Sequence, residues 1–109
     1  LIKRTATEPT ERVDIQCQPK GFGALAPKTV IDVFRETVEK HGSRSALCYK
    51  LPVGGRLPKD FTVITYQEYW NECMKFAKSL VHLNVATFKI VNILGFNSHE
   101  WFIANTGSI

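Results

Sequence analysis

An amphipathic helix is predicted from Thr29 to His41. Apolar residues recur there at spacings of three and four, which places them on one side of a helix. The residues of this apolar side are Val30, Val33, Phe34 and Val38. Thr29 and Asp32 begin the segment with the spacing of a capping box, and Gly42 follows it, where a left-handed residue commonly ends a helix. We interpret the apolar side as part of a protein core rather than as a cofactor contact.

A second amphipathic helix is predicted from Thr65 to about Leu83. Thr65 and Glu68 have the types and spacing of a capping box. The apolar side carries Tyr69, Cys73, Phe76, Ala77 and Leu80. Asn84 is suited to the left-handed conformation that ends a helix. We interpret Cys73 as a small apolar core residue, since nothing in the sequence indicates an electropositive, exposed site around its thiol.

Between the two helices the pattern changes to that of a β-hairpin. Residues 46–50 and 61–64 are rich in apolar and β-branched types, which favours two short strands. The turn-forming residues between them are Pro52, Gly54, Gly55 and Pro58. The sequence therefore predicts an antiparallel pair with a long, exposed tip.

An apolar run from Val91 to Phe96, broken by Asn92, is typical of a strand buried on both faces of a parallel sheet. Asn97 or Ser98 then offers a helix cap, and Glu100 places negative charge in the first turn of the helix that follows. Because a predicted helix separates this run from the preceding strand, the order predicts a right-handed βαβ unit. The predicted fold class is α/β, with a β-hairpin, a βαβ unit and amphipathic helices.

Residues 1–27 are predicted to form a polar, partly extended lead-in, and residues 28–109 the domain itself. Val13–Cys17 alternates apolar with polar residues and predicts a short edge strand within this lead-in. Gly21–Ala26 fits the dinucleotide pattern G-x-G-x-x-A, but Pro27 would interrupt the required helix. The expected acidic residue about twenty positions on is also missing. Because the segment lacks these two features of a dinucleotide-binding site, the sequence favours a loop here.

The charge and cysteine content exclude several classes of function. The formal net charge is +4, and the 14 Lys and Arg residues are spread along the chain without a basic block, which favours a solvated surface over a nucleic-acid site. The three cysteines have no C-x-x-C spacing, and the three histidines lie far apart, so no metal site is expected. An odd cysteine count suits a reducing compartment, and we expect a cytoplasmic location. We expect no transmembrane segment.

Several short segments occur in an order that resembles a known family. They are Val30–Glu39, Ala46-Leu47, Thr65-Tyr66-Gln67-Glu68, Ala77-Lys78-Ser79-Leu80, Ile93–Ser98 and Glu100–Ala104. In this order they resemble the N-terminal part of long-chain acyl-CoA synthetases of the bubblegum-type branch, within the adenylate-forming superfamily. The resemblance covers most of residues 28–109, and residues 94–102 carry the branch assignment. Asn84, Ile90, Asn92 and His99 stand where the family usually has other residues.

The resemblance implies an enzyme that activates a long-chain fatty acid with ATP through an acyl-adenylate and then forms acyl-CoA. It implies ATP, Mg²⁺ and coenzyme A as cofactors of the full-length protein. The family's phosphate-binding loop, its ribose-binding acidic residue and its catalytic lysine all follow the segment covered here. We therefore expect no catalytic, cofactor-binding or metal-binding residue within the 109 residues, and a structural role for them.

Residues 104–109 run on without a cap or stop, and we expect the chain to be an N-terminal fragment that is inactive alone. The long-chain fatty acid would then bind through the remainder of the protein, and peripheral association with the endoplasmic reticulum or another intracellular membrane stays open. The alternative is a free-standing truncated product that acts as a protein- or membrane-binding module. Against it, the sequence contains no basic amphipathic helix.

Overall fold

The computed structural model describes Glu8 and residues 18–109. A 3₁₀ helix at Gly21–Ala24 precedes five elements: α1 (Val30–His41), β1 (Ser45–Tyr49), β2 (Thr62–Thr65), α2 (Tyr66–His82) and α3 (His99–Gly107). Both predicted amphipathic helices and the predicted hairpin are confirmed within one or two residues. The predicted edge strand Val13–Cys17 and most of the predicted lead-in over residues 1–27 lie outside the described residues. Within the described part of the chain, no helix is long and apolar enough to cross a membrane.

The helices begin where the sequence places hydrogen-bonding caps. Thr65 and Glu68 form a complete capping box: the Thr65 hydroxyl accepts from the Glu68 N–H at 3.2 Å, and the Glu68 carboxylate accepts from the Thr65 N–H at 2.8 Å. A cap of this kind contributes about 1 kcal/mol of stability. At the start of α1 the Thr29 hydroxyl accepts from the Asp32 N–H at 3.0 Å and donates to the Asp32 carboxylate at 2.7 Å. Ser98 caps α3.

One predicted helix end is confirmed and the other is wrong. Asn84 has a φ of 59°, and the N–H groups of Asn84 and Val85 donate to the carbonyls of Val81 and Leu80, which is a Schellman ending. Gly42, by contrast, has right-handed backbone angles of −52° and −35°. Glycine is needed there for space, because a Cβ at this position would lie 2.7 Å from a backbone oxygen of α1.

The strands β1 and β2 form an antiparallel two-stranded sheet. Leu47 pairs with Ile64 and Tyr49 with Thr62, and the register shifts between Ser45 and Leu47. At the far end of the hairpin, a short bridge joins Val53 to Arg56 across Gly54 and Gly55, whose φ angles are 59° and 77°. A two-residue turn with positive φ at both central positions requires glycine-like residues, which explains the Gly-Gly pair.

The predicted strand over residues 91–96, and with it the predicted βαβ unit, is not formed. The structure gives no strand to Val91–Phe96, and the sheet of the described residues has only the order β1-β2. A parallel strand of this type needs a neighbouring strand and cover on both faces. No described segment supplies either, and Leu94 and Phe96 are almost fully exposed. The prediction that residues 91–96 are buried is wrong for the described part of the chain, because no segment there covers them.

The Gly21–Ala26 segment does not form the strand–turn–helix that a dinucleotide pattern requires. Gly21–Ala24 makes one turn of 3₁₀ helix, and Leu25 then has extended backbone angles of −68° and 139°. The α-helix α1 begins only at Val30. The backbone N–H groups that would hold a pyrophosphate at a helix start are therefore not assembled at these glycines.

The helices pack together around the apolar side of α2. The ring of Phe34 on α1 lies 4.9 Å from the ring of Tyr69 and 5.2 Å from that of Trp70. On the α3 side, the Tyr69 hydroxyl shares a hydrogen bond of 2.6 Å with the Thr106 hydroxyl and donates to the Phe102 carbonyl at 3.1 Å. Tyr69 thus links all three helices.

Cys73 is the most buried of the described residues, with 4% of its surface exposed. Gly107 of α3 comes so close to α2 that a Cβ on it would lie 2.7 Å from the Cys73 carbonyl oxygen. Burial raises the pKa of the Cys73 thiol to about 11, so the thiol is neutral at physiological pH. This confirms the interpretation of Cys73 as a core residue.

We expect Tyr69→Phe to lower the free energy of unfolding by about 1–2 kcal/mol, because it leaves the polar groups of Thr106 and Phe102 without their partner. Chemical denaturation of the full-length protein measures this change. Tyr66→Phe is the matched control, since the Tyr66 hydroxyl has no hydrogen-bond partner within the described residues; its effect should stay below about 0.5 kcal/mol. Equal losses in the two variants would contradict the bridging role of Tyr69.

We expect iodoacetamide to label Cys73 at least roughly 100-fold more slowly than Cys48 at pH 8, because only about one thiol in a thousand is ionised at a pKa of about 11. Cys48 is exposed on β1, and both thiols are free. Peptide mass mapping over time gives the two rates, and the Cys73 rate should rise with pH. Denaturant is the control, since unfolding should bring the rates together. Equal labelling rates for Cys73 and Cys48 in the folded protein would contradict the prediction.

Candidate functional site

An open groove lies between the hairpin, α2 and α3. Its volume is about 740 Å³. Its apolar lining comes from all three elements and consists of Tyr49, Val63, Ile64, Phe76, Ile103 and Ala104. A mainly apolar groove of this size is the default location for a ligand or partner.

The charged side chains along this groove are mostly acidic. Glu68, Glu72 and Glu100 line it together with a single cation, Lys75, which gives a local charge of −2 (three carboxylates against one ammonium). Lys75 is already paired with Glu72 at 2.6 Å. Hydrogen bonds from Thr65 lower the pKa of Glu68, and the backbone N–H at the start of α3 lowers the pKa of Glu100. Both carboxylates are therefore charged at neutral pH.

ATP does not fit this groove. A polyphosphate needs several converging N–H groups, cationic side chains or metal ligands to neutralise its charge. The groove presents an excess of carboxylates, and its one lysine is already engaged by Glu72. Within the described residues, no three His, Cys, Asp or Glu side chains converge to hold a metal ion. The lining of this groove is therefore unsuited to a polyphosphate.

One contact at the groove was not predictable from local sequence pattern. The rings of Tyr49 on β1 and His99 on α3 are stacked, with centroids 3.7 Å apart and an angle of 11° between the planes. His99 Nδ1 also lies 3.0 Å from a carboxylate oxygen of Glu100. The two stacked residues are fifty positions apart, and no periodicity or motif links them. The stack fixes the start of α3 against the hairpin.

The groove does not combine a nucleophile with a base. The Ser79 hydroxyl donates to the Lys75 carbonyl one turn earlier in α2, an ordinary helix contact. The Ser98 hydroxyl is used to cap α3. Covalent catalysis requires a nucleophile within hydrogen-bond reach of an activating base. Ser98 hydrogen-bonds the Glu100 carboxylate and so helps to lower the pKa of Glu100, but Ser98 does not line the groove and its hydroxyl already accepts from the Trp101 N–H. The arrangement is suited to packing against another surface rather than to chemistry.

The sequence predicted no catalytic, cofactor-binding or metal-binding residue in this segment, and that expectation stays a prediction. The glycines at 21 and 23 lie away from the groove, in the 3₁₀ turn. Cys73 lies in the helical core, and Cys48 lies on the exposed side of the hairpin. The structure does not bring the thiols and the three histidines together into one site within the described residues.

The chain is similar to proteins of one enzyme class. It is 43% identical over 103 residues to a long-chain-fatty-acid–CoA ligase, ACSBG2, of Gallus gallus, which covers 94% of this chain and 13% of the relative. It is 40% identical over 89 residues to the ACSBG2 ligase of Homo sapiens, covering 82% of the chain and 12% of the relative. The long-chain-fatty-acid–CoA ligase heimdall of Drosophila melanogaster is 31% identical over 93 residues, covering 84% and 13%. No solved structure matches the chain significantly.

The chain thus spans only about one-eighth of the length of the curated relatives that it matches. A family profile described as "AMP-binding enzyme" matches residues 34–109, which include α1 from Phe34 onward, the hairpin, α2 and α3. This match covers most of the chain, and it agrees with the resemblance drawn from the short segments. The chain belongs to the AMP-binding enzyme family.

Proposed function

We propose that this chain is a structural segment near the N-terminus of a long-chain fatty acid–CoA ligase. The full-length protein would activate a fatty acid with ATP and Mg²⁺ through an acyl-adenylate, release AMP and transfer the acyl group to coenzyme A. The observation that carries this proposal is the identity of 31–43% to ligases of this one class from vertebrates and an insect, over most of the chain.

The role proposed for these residues is architectural. The excess of carboxylates in the groove supports placing the nucleotide chemistry elsewhere in the protein. The apolar residues exposed after α2, among them Phe88, Ile90, Leu94 and Phe96, form a surface that a soluble domain would normally cover. We assign its cover to the remainder of the ligase domain, since the relatives are about eight times longer than this chain.

A cytoplasmic location is also proposed. Its support is chemical: Cys48 and Cys73 are both free thiols, and Cys48 is exposed. Exposed free thiols are typical of proteins kept in a reducing compartment. The long-chain fatty acid and the coenzyme A would bind through parts of the protein outside this chain.

The alternative of a free-standing binding module has no support from the comparisons. All the relatives described are named as ligases, and the family match is to an enzyme. The exposed apolar surface after α2 is accounted for by packing within a longer protein, without a separate partner.

The full-length protein should convert a long-chain fatty acid, ATP and coenzyme A into acyl-CoA and AMP, with Mg²⁺ required. Mass spectrometry of the products checks this, and reactions without ATP or without coenzyme A are the controls. The isolated 109-residue chain should form no thioester, because it lacks the phosphate-binding elements. Release of ADP in place of AMP, or no thioester with any acyl chain length, would contradict the proposal.

A further inference from the structure

The tip of the hairpin carries an exposed apolar surface. This tip, defined here as residues 51–61, lies beyond the ladder that ends at the Tyr49–Thr62 pair. Its four large apolar side chains are exposed by 52% (Leu51), 76% (Val53), 67% (Leu57) and 62% (Phe61). Unlike the exposed apolar residues after α2, these side chains alternate in sequence with the cations Arg56 and Lys59, so the tip is considered separately.

The hairpin tip has a defined conformation. The N–H and carbonyl groups of Val53 and Arg56 pair with each other at 2.9 and 3.2 Å across the Gly-Gly turn. At its base, the Lys50 ammonium donates to the Lys59 carbonyl at 2.6 Å and lies 4.5 Å from the centre of the Phe61 ring. Because these contacts hold the backbone, the apolar side chains are presented without a large ordering cost on binding.

The tip is also basic and poor in exposed backbone donors. Arg56 and Lys59 are exposed, and within the described residues neither forms an ion pair. With Asp60 as the single anion, the tip has a net charge of +1, and Lys50 at its base raises the total to +2. Pro52 and Pro58 have no N–H, so two fewer backbone donors must lose their water in an apolar environment.

These features fit a lipid surface better than a folded protein partner. A stable protein interface buries about 800 Å² on each partner, which usually takes 20–30 residues. The tip has eleven residues, and its apolar side chains are interleaved with cations rather than gathered in one flat patch. Apolar side chains next to Lys and Arg are the arrangement that enters the boundary between headgroups and acyl chains of an anionic bilayer.

We propose that the hairpin tip docks the full-length protein on anionic membrane surfaces, with Val53 and Leu57 entering the bilayer interface and Arg56 and Lys59 contacting acidic headgroups. The inference goes beyond the proposed ligase function and does not depend on it. The proposed membrane contact is made by a hairpin and not by an amphipathic helix.

Flotation of the full-length protein with lipid vesicles tests the proposal. The protein should bind vesicles of phosphatidylcholine with about one-third phosphatidylserine more tightly than phosphatidylcholine alone, and salt should weaken the difference. The double variant Arg56→Gln, Lys59→Gln should lower binding to the anionic vesicles about 25-fold, since each charge contributes about fivefold near such a surface. The double variant Val53→Ser, Leu57→Ser should lower binding to both vesicle types on the order of tenfold.

Two matched double variants away from the tip are the controls. Lys78→Gln with Lys89→Gln removes two exposed charges, and Leu25→Ser with Val81→Ser removes two exposed apolar side chains. Both should bind within about twofold of the parent protein, and circular dichroism checks that every variant is folded. The readout is lipid binding, so failure of the ligase reaction would leave this test unaffected.

Equal binding to neutral and anionic vesicles would overturn the proposal, and so would tip variants that bind like the parent. A third outcome also overturns it: tip-dependent sedimentation with native membranes but no binding to pure lipid. That result would identify an acidic membrane protein as the partner of the tip.

Discussion

The contact between α2 and α3 is made of one hydroxyl bridge and one close backbone approach. Tyr69 reaches the Thr106 hydroxyl and the Phe102 carbonyl, and Gly107 lies against the Cys73 carbonyl. The same Tyr69 ring packs on Phe34 of α1. Three helices separated along the chain therefore meet at two neighbouring turns of α2. The Tyr49–His99 stack and the groove beside it exist because α3 is held in this position.

Two surfaces of the described residues carry net charge of opposite sign. The groove between the hairpin and the helices carries three glutamates and one lysine, whereas the hairpin tip carries Arg56 and Lys59 against Asp60. A net charge of +4 for the whole chain hides this difference. The two surfaces are suited to partners of opposite charge, and the excess of carboxylates in the groove repels phosphate.

The local elements were predictable because local residues decide them. The box of Thr65 and Glu68, the Ser98 cap and the left-handed Asn84 are each set within a few positions of the chain, and the structure has all of them. The predictions that failed depend on more distant surroundings. An apolar run such as Val91–Phe96 predicts burial, but the run itself does not show which part of the protein would cover it. Gly42 was predicted to be needed for a left-handed φ, whereas in the structure a Cβ there would collide with the Val38 carbonyl oxygen of α1.

Less of the candidate site than of the fold could be predicted from the sequence. Tyr49 and His99 carry no shared motif, and their stacking follows only from the placement of α3 on α2. The exposed apolar residues of the hairpin tip were predicted as a turn, which is correct for the backbone. Their side chains form a surface only because the Gly-Gly turn and the Lys50 contacts fix the ends of the loop.

Thr65 is both the last residue of β2 and the cap of α2, and no loop separates the two elements. The strand and the helix are therefore joined directly, and the Tyr69–Cys73 packing lies in the first turns of α2 just after the junction. A loop at this junction would absorb a force applied at the tip by bending. The capping box instead fixes the direction in which α2 leaves β2, so the orientation of the hairpin is tied to that of the helical core.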